Sequence, residues 1–188
     1  MTTRSLRAGV ALITTLLAVL GGATPAASQT QTAAAPSLTD PQIAHVAVTA
    51  NTIDVELARL AQSRAANEEV VAFARTMVTD HTAVNEQAAA LASRLGVTPQ
   101  DNDVSRSLRQ GADDARSKLE DLRGAAFDRA YMEREVAYHQ AVLDALDGLL
   151  IPGASNAELR GLLEQVRPAV AAHLEHAKMI RASLGGAK

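Results

Sequence analysis

Three of the five histidines in this 188-residue sequence stand where leucine would be expected, on the apolar seams of three different predicted helices. They are His81, His139 and His173, and each continues a run of seam residues spaced three and four apart. This spacing is typical of a helix that buries one stripe of its surface. Buried polar groups need partners. Imidazoles that converge on one bundle axis are most simply partnered by carboxylates or by a metal ion.

Carboxylates share the same faces. At about 100° per residue, Glu56 falls inside the apolar stripe of the first helix and Glu135 falls on the face of His139. A rise of about 1.5 Å per residue places these groups within about one and a half turns of each other, near the middle of a bundle. Carboxylate and imidazole together suit iron, manganese or zinc. The predicted ligands are Glu56, His81, Glu135, His139 and His173, with Asp80, Asp128 and Tyr131 as supporting partners.

A metal-free polar network is the alternative interpretation of these residues. In it, Glu56 and Glu135 accept hydrogen bonds from the imidazoles and no ion is bound, as in a structural or interaction protein of the cell envelope. The charged residues Arg129, Glu133 and Arg134 are interpreted as a solvated face in both cases. The metal interpretation is non-catalytic binding, and a redox-active variant of it would use the same ligands.

Four long amphipathic helices position these residues, so the predicted fold class is all-α. The first begins at Thr39 or Asp40, either of which could cap it, and the second follows the cap Asn67 and ends at Gly96. The third spans Ala125 to Leu150. A capping box, Ser155 with Glu158, opens the fourth, which continues to Leu184.

The segment between Val97 and Gly124 connects the two predicted hairpins. It begins as a loop and continues as a shorter amphipathic helix whose seam includes Leu108 and Leu119. A helix of that length covers about 25–30 Å, so it can serve as the long crossover of a ferritin-like four-helix bundle. A fifth helix packed on an up-and-down bundle is the alternative.

The N-terminus has the pattern of a secretory signal peptide. Arg4 and Arg7 precede an apolar run that is too short for a membrane-spanning helix, and small residues follow it. We expect a signal peptide over residues 1–28, a disordered linker over 29–38 and one bundle domain over 39–184. The mature protein would then be periplasmic, secreted or associated with the cell envelope, with no transmembrane span.

Composition excludes several classes of site. The sequence has no cysteine, which excludes thiolate metal sites, disulfides and a lipoprotein anchor. Removing Arg4 and Arg7 with the leader lowers the 18 basic residues to 16, against 21 acidic residues. This acidic balance, together with only two tyrosines, two phenylalanines and no tryptophan, argues against nucleic acid as a partner.

From Leu38 to Ser183 the sequence resembles a family of secreted bacterial proteins known as domain of unknown function 4142, which is placed in the ferritin-like superfamily. The resemblance is carried by LTDPQIAHVAVTANTIDVELARLA, VVAFARTMVTDHTAVNEQAAALASRLGV, GAAFDRAYMEREVAYHQAVLD and RPAVAAHLEHA. The recurrent polar positions of the family correspond to Glu56, Asp80, His81, Asp128, Tyr131, His139 and His173. The resemblance implies the bundle fold and export, but no activity.

The sequence also departs from iron-storing and di-iron bundles. Those proteins carry Glu-x-x-His on two helices, whereas the residues three before the seam histidines here are Val78, Val136 and Val170. Ferroxidase or oxygenase chemistry is therefore not expected, and a mononuclear site, or none, fits the spacing better.

Overall fold

The computed structural model describes residues 37–186, and within them the chain is helical with no β-strand. Its five long helices are α1 (Asp40–Arg64), α2 (Glu68–Leu95), α3 (Asp103–Glu120), α4 (Gly124–Ala145) and α5 (Ala157–Gly186). The all-α prediction is confirmed. Across the described residues, no helix combines the length and apolarity needed to cross a membrane. The predicted signal peptide and residues 29–36 of the predicted linker lie outside the described part of the chain.

The helices form two antiparallel hairpins, α1–α2 and α4–α5, joined by α3. Helix α3 begins beside the start of α1, where Asn102 donates to the Gln42 carbonyl, and ends beside its C-terminus, where Arg64 donates to the Glu120 carbonyl. It therefore runs the length of the bundle, parallel to α1. The predicted helical crossover between the two hairpins of the bundle is confirmed.

Each hairpin turn is held by an aspartate of the other hairpin. Asp128 in α4 accepts hydrogen bonds from the backbone N–H groups of Ala66 and Asn67 in the α1–α2 turn. Asp40, the first residue of α1, accepts from the N–H groups of Ser155 and Asn156 in the turn before α5. These reciprocal bonds place the start of α4 beside the end of α1, and its end beside the start of α1.

Local sequence explains the helix ends. Thr39 caps α1, with Gln42 accepting from its backbone N–H, so Asp40 is left free to hold the distant turn. Asn67 caps α2, and Gly96 ends it in the left-handed conformation, φ 64°, that glycine adopts without strain. Asn156, rather than Ser155, caps α5 through the N–H groups of Glu158 and Leu159.

Helix α4 ends in a wider turn than the sequence predicted. Leu146–Leu150 is π-helical, and a last α-helical turn, Ile151–Gly153, follows it. Pro152 has no N–H, and its ring would crowd a carbonyl one turn earlier, so α-helical bonding cannot continue normally through it. The backbone N–H of Ile151 instead reaches back five residues to Leu146.

Candidate metal centre

The three seam histidines meet in the middle of the bundle, as predicted from their spacing. His81 is in α2, His139 in α4 and His173 in α5, and all three are buried. Their ring centroids are 5.3–5.8 Å apart. One ligand nitrogen from each ring lies within 4.8 Å of the other two, so three helices bring imidazole nitrogens close to one another.

Each imidazole has one nitrogen in a hydrogen bond with an acceptor. His81 Nδ1 lies 2.6 Å from Asn51 Oδ1, His139 Nδ1 lies 3.0 Å from the Glu135 carbonyl, and His173 Nε2 lies 2.9 Å from Asp80 Oδ2. Because a carbonyl and a carboxylate can only accept, these nitrogens carry the protons. Asn51 is oriented by its own amide nitrogen, which donates to the Ala47 carbonyl, so its oxygen is the atom that faces His81.

The second nitrogen of each ring is buried without a hydrogen-bond partner among the described residues. These atoms are His81 Nε2, His139 Nε2 and His173 Nδ1. Metal-bound histidines in proteins show the same division, with one nitrogen donating to a carbonyl or carboxylate and the other presenting a lone pair to the ion. Burial of such lone pairs is costly when nothing occupies the space between them.

Two buried carboxylates adjoin the imidazoles, and one arginine binds both. Asp54 in α1 and Glu135 in α4 have no solvent exposure. Arg134 Nη1 lies 2.9 Å from Asp54 Oδ1 and 2.6 Å from Glu135 Oε1. The remaining oxygens, Asp54 Oδ2 and Glu135 Oε2, are buried without a hydrogen-bond partner in the described structure. Asp54 Oδ2 lies 2.9 Å from His81 Nε2 and 3.6 Å from His139 Nε2.

Burial and mutual interaction set the charges of these groups. Burial alone would raise the pKa of Asp54, but the contact that a doubly protonated His81 makes with it, together with the charge of Arg134, outweighs burial and lowers it. Burial and the nearby charge of Asp54 raise the pKa of Glu135 well above its usual value, against the opposing effect of Arg134. Burial lowers the pKa of His139 from 6.5 to about 4 and also lowers that of His173. These last two imidazoles are therefore held neutral, as metal ligands must be.

One predicted ligand does not join the centre. Glu56 is half-exposed and pairs with Arg109 of α3, with Glu56 Oε2 2.7 Å from Arg109 Nη1. The prediction that Glu56 lies in the central cluster is wrong, because the buried face of α1 is centred nearer Ala58 and Ala61, both with no exposure. Positions two residues apart on a helix are rotated by about 200° from each other. Asp54 therefore faces the core, whereas Glu56 does not.

The predicted supporting residues have three different positions. Asp80 is half-exposed and accepts from His173, the supporting role predicted for it. Asp128 instead holds the α1–α2 turn through two backbone N–H groups. Tyr131 is fully buried and stacks on Phe127, and its hydroxyl has no hydrogen-bond partner among the described residues. Burial and the charges of Glu135 and Asp54 raise the pKa of Tyr131, so its hydroxyl stays protonated.

The sequence interpretation missed Asp54, Asn51 and Arg134. Arg134 was placed on a solvated face, yet its side chain is only 13% exposed and its guanidinium carbon lies 3.8 Å above the Tyr138 ring. A helical projection of α1 that counted its small residues Ala58 and Ala61 as core would have brought Asp54 onto the buried face. The same projection places Asn51 seven residues before Ala58, about 20° from it, and so on the same face.

Fold and centre together define an all-α bundle of two helical hairpins, with imidazoles and carboxylates from four helices at its middle. Residues 24–180 match the family described as a domain of unknown function (DUF4142), and the chain belongs to that family. No curated protein matches the sequence.

Two solved structures share the fold. A DUF305 protein from Streptomyces coelicolor, described as secreted, superimposes with a TM-score of 0.66 at 14% identity, covering 78% of this chain and 93% of its own. CopM in its Cu(II)-bound form superimposes with a TM-score of 0.58 at 16% identity, covering 78% of this chain and 98% of its own. At these identities the likeness establishes the fold alone.

Proposed function

We propose that this protein binds one divalent transition-metal ion at the middle of its bundle, through His81, His139, His173 and Asp54. The observation that carries the proposal is the arrangement of the three imidazoles. Each has one nitrogen fixed as a donor to an acceptor and the other buried without a partner. A cation at the centre gives all three lone pairs a partner at once.

The contact between His81 and Asp54 supports the same conclusion. With the His81 proton on Nδ1, the Nε2 lone pair and Asp54 Oδ2 face each other at 2.9 Å, which is repulsive unless a cation lies between them. A second proton on His81 would relieve this contact but would leave His139 Nε2 and His173 Nδ1 unpartnered. A metal ion relieves the contact and satisfies both nitrogens.

Two separations of the ligand atoms are close to those around a small tetrahedral ion. Metal–nitrogen and metal–oxygen bonds of about 2.0–2.2 Å place neighbouring ligand atoms of a tetrahedron about 3.3–3.6 Å apart. Asp54 Oδ2 lies 2.9 Å from His81 Nε2, somewhat closer than this, and 3.6 Å from His139 Nε2, at the upper end of the range. Three imidazoles and one carboxylate favour Zn²⁺ or Cu²⁺, and Fe²⁺ less so, over Mn²⁺, which prefers oxygen ligands. The copper-bound form of CopM makes copper a natural ion to test.

We further propose that the protein is exported and acts in the cell envelope without catalysis. Support comes from the signal-peptide pattern over residues 1–28 and from the secreted description of the DUF305 protein of the same fold. A bound ion with four protein ligands has no open coordination position for a substrate, as in structural rather than catalytic zinc sites. Binding, storage or delivery of the ion fits this arrangement.

Metal counting on untagged protein tests the proposal. The mature chain is stripped with a chelator, exposed separately to Zn²⁺, Cu²⁺, Fe²⁺ and Mn²⁺, dialysed and analysed for bound metal. We expect one ion per chain for Zn²⁺ or Cu²⁺ and a higher melting temperature, since a ligand that binds only the native state stabilises it. His139→Gln should abolish both effects. His176→Gln is the matched control, because His176 is exposed on the same helix as His173 and should leave both effects unchanged.

A metal-free polar network remains the competing function class, and one observation favours it. Arg134 already neutralises part of the carboxylate charge without any ion. Less than about 0.1 ion per chain with every metal, and no thermal shift, would support that class and overturn the metal proposal. Full metal binding by His139→Gln would overturn the ligand assignment.

A further inference from the structure

A second group of potential ligands lies beside the three imidazoles. Asp54, Glu135 and His139 each offer a ligand atom within 4.8 Å of the other two, and all three are buried. His139 and Asp54 thus belong both to this group and to the proposed ion site. In bundles of this architecture, facing carboxylates and histidines commonly hold two ions. What distinguishes this chain is a cation of its own among the second group.

That cation is the guanidinium of Arg134. A single nitrogen, Nη1, contacts Asp54 Oδ1 and Glu135 Oε1, at 2.9 and 2.6 Å, so it lies between the two carboxylates as a bridging ion would. The group cannot easily leave, because it is nearly buried and stacks on Tyr138 at 3.8 Å. Arginine keeps its charge at every accessible pH, so this positive charge is permanent.

We infer that Arg134 occupies the position of a second metal ion and limits the centre to one. This inference rests on the proposed function. A divalent ion bound to Asp54 and Glu135 would sit within a few ångströms of the guanidinium, where like charges in a buried site repel strongly. The guanidinium also takes one oxygen of each carboxylate, and the proposed ion takes Asp54 Oδ2, so only Glu135 Oε2 is left for a second ion.

Removing the charge should therefore create a second site. Arg134→Gln retains an amide donor for the carboxylates but no charge, and Arg134→Leu removes both. We expect two ions of Zn²⁺ or Cu²⁺ per chain in these variants and one in the wild type, even with metal in excess. Arg134→Lys restores a positive charge and should return the count to one. Arg109→Gln is the matched control, because Arg109 is the more exposed arginine that pairs with Glu56. This variant should also bind one ion.

Electron paramagnetic resonance of the Cu²⁺-loaded proteins gives a second readout. The wild type should show an isolated Cu²⁺ signal, and Arg134→Gln the broadened or weakened signal of two coupled ions. A merely structural role for Arg134 would lower stability without adding an ion. If Arg134→Leu fails to fold, as circular dichroism would show, Arg134→Gln carries the test.

The outcomes separate this inference from the proposed function. No ion in the wild type overturns the proposed function itself. One ion in the wild type and still one in folded Arg134→Gln overturns the inference and leaves the proposed function intact. Two ions in the wild type would show that the guanidinium does not exclude the second ion.

Discussion

The two ends of the bundle are built from the same apolar seams but are filled differently. We call the half of the bundle that extends from the α1–α2 turn to the centre the polar half. Its large side chains are fully buried, among them Phe73, Met77, Phe127 and Tyr131. Towards the opposite end, the cavity half, α1, α2, α5 and the C-terminal part of α4 line a cavity of about 400 Å³. Its walls include Ala47, Val84, Ala88, Val142, Leu162 and Val166.

Side-chain volume accounts for the difference. In the polar half, aromatic rings and imidazoles fill the space between the hairpins. Phe73 contacts Tyr131 and His139 edge-on, with ring centroids 6.4 and 6.3 Å apart. In the cavity half, several wall positions carry alanine or valine, such as Ala47, Val84, Ala88 and Val142, and these are half-buried because they border the cavity. The two halves meet at Asn51, which holds His81 and also lines the cavity. Dense polar packing thus fixes the ligands, while the apolar half leaves room.

The largest expected effect is the loss of the charge network in the polar half. Asp54→Ala removes one of the two carboxylates that pair with the buried Arg134, and removing one member of a buried ion pair typically costs about 3–5 kcal/mol. Glu56→Ala, two residues away, removes an exposed ion pair and should cost no more than about 1 kcal/mol. Urea denaturation of the metal-free proteins measures both. Equal losses would mean that the polar half gains nothing from its buried charges.

The second prediction assigns pH dependence to the polar half. The pKa of His139 is about 4 in the folded protein and 6.5 when unfolded, so between these values the unfolded chain binds more protons. Stability of the chelator-treated protein should therefore fall as the pH falls from about 6.5 towards 4, by about 3 kcal/mol from this residue. The raised pKa of Glu135 acts in the opposite direction.

Comparison with His139→Gln isolates the contribution of the histidine. The variant should lose less stability than the wild type over the same pH range, since it has no imidazole to protonate. Denaturation midpoints from pH 4.5 to 7.5 provide the measurement. Parallel curves for the two proteins would show that burial does not hold His139 neutral.

The smallest predicted effect has opposite signs in the two halves. Ala88→Leu places three extra carbons in the cavity and should stabilise the protein by about 1 kcal/mol. Ala74→Leu adds the same atoms to a fully buried position of the polar half and should destabilise it by about 1–3 kcal/mol through overpacking. Melting temperatures distinguish the two. A destabilising Ala88→Leu would indicate that the cavity walls cannot accept the larger side chain.

The sequence predicted the fold because its signals are local and repeated. Seam spacing and the caps Thr39 and Asn67 each act within a few residues, and together they specify helices and hairpins. The histidines were found for the same reason. Asp54 was missed because its position depends on how far α1 rotates against its neighbours, which the stripe alone defines only to within several tens of degrees.

Arg134 and the cavity were hidden for a different reason. An arginine beside Glu135 in a charged run has the pattern of a solvated face, and only the approach of α1 turns it into a buried partner of Asp54. An apolar seam predicts burial but not whether facing residues are large enough to touch. Val84 and Val142 stand at apolar seam positions, yet they line the cavity.

Asp40 and Asp128, each of which binds the turn of the other hairpin, affect the cooperativity of folding. During synthesis the α1–α2 hairpin is complete before Asp128 follows. The backbone N–H groups of Ala66 and Asn67 in its turn are therefore at first without their carboxylate acceptor. They gain it only when the second hairpin docks, and Asp40 then gains its own bonds at the other end. Hydrogen exchange at both turns should therefore report separation of the hairpins rather than local fraying, although both turns lie at the surface.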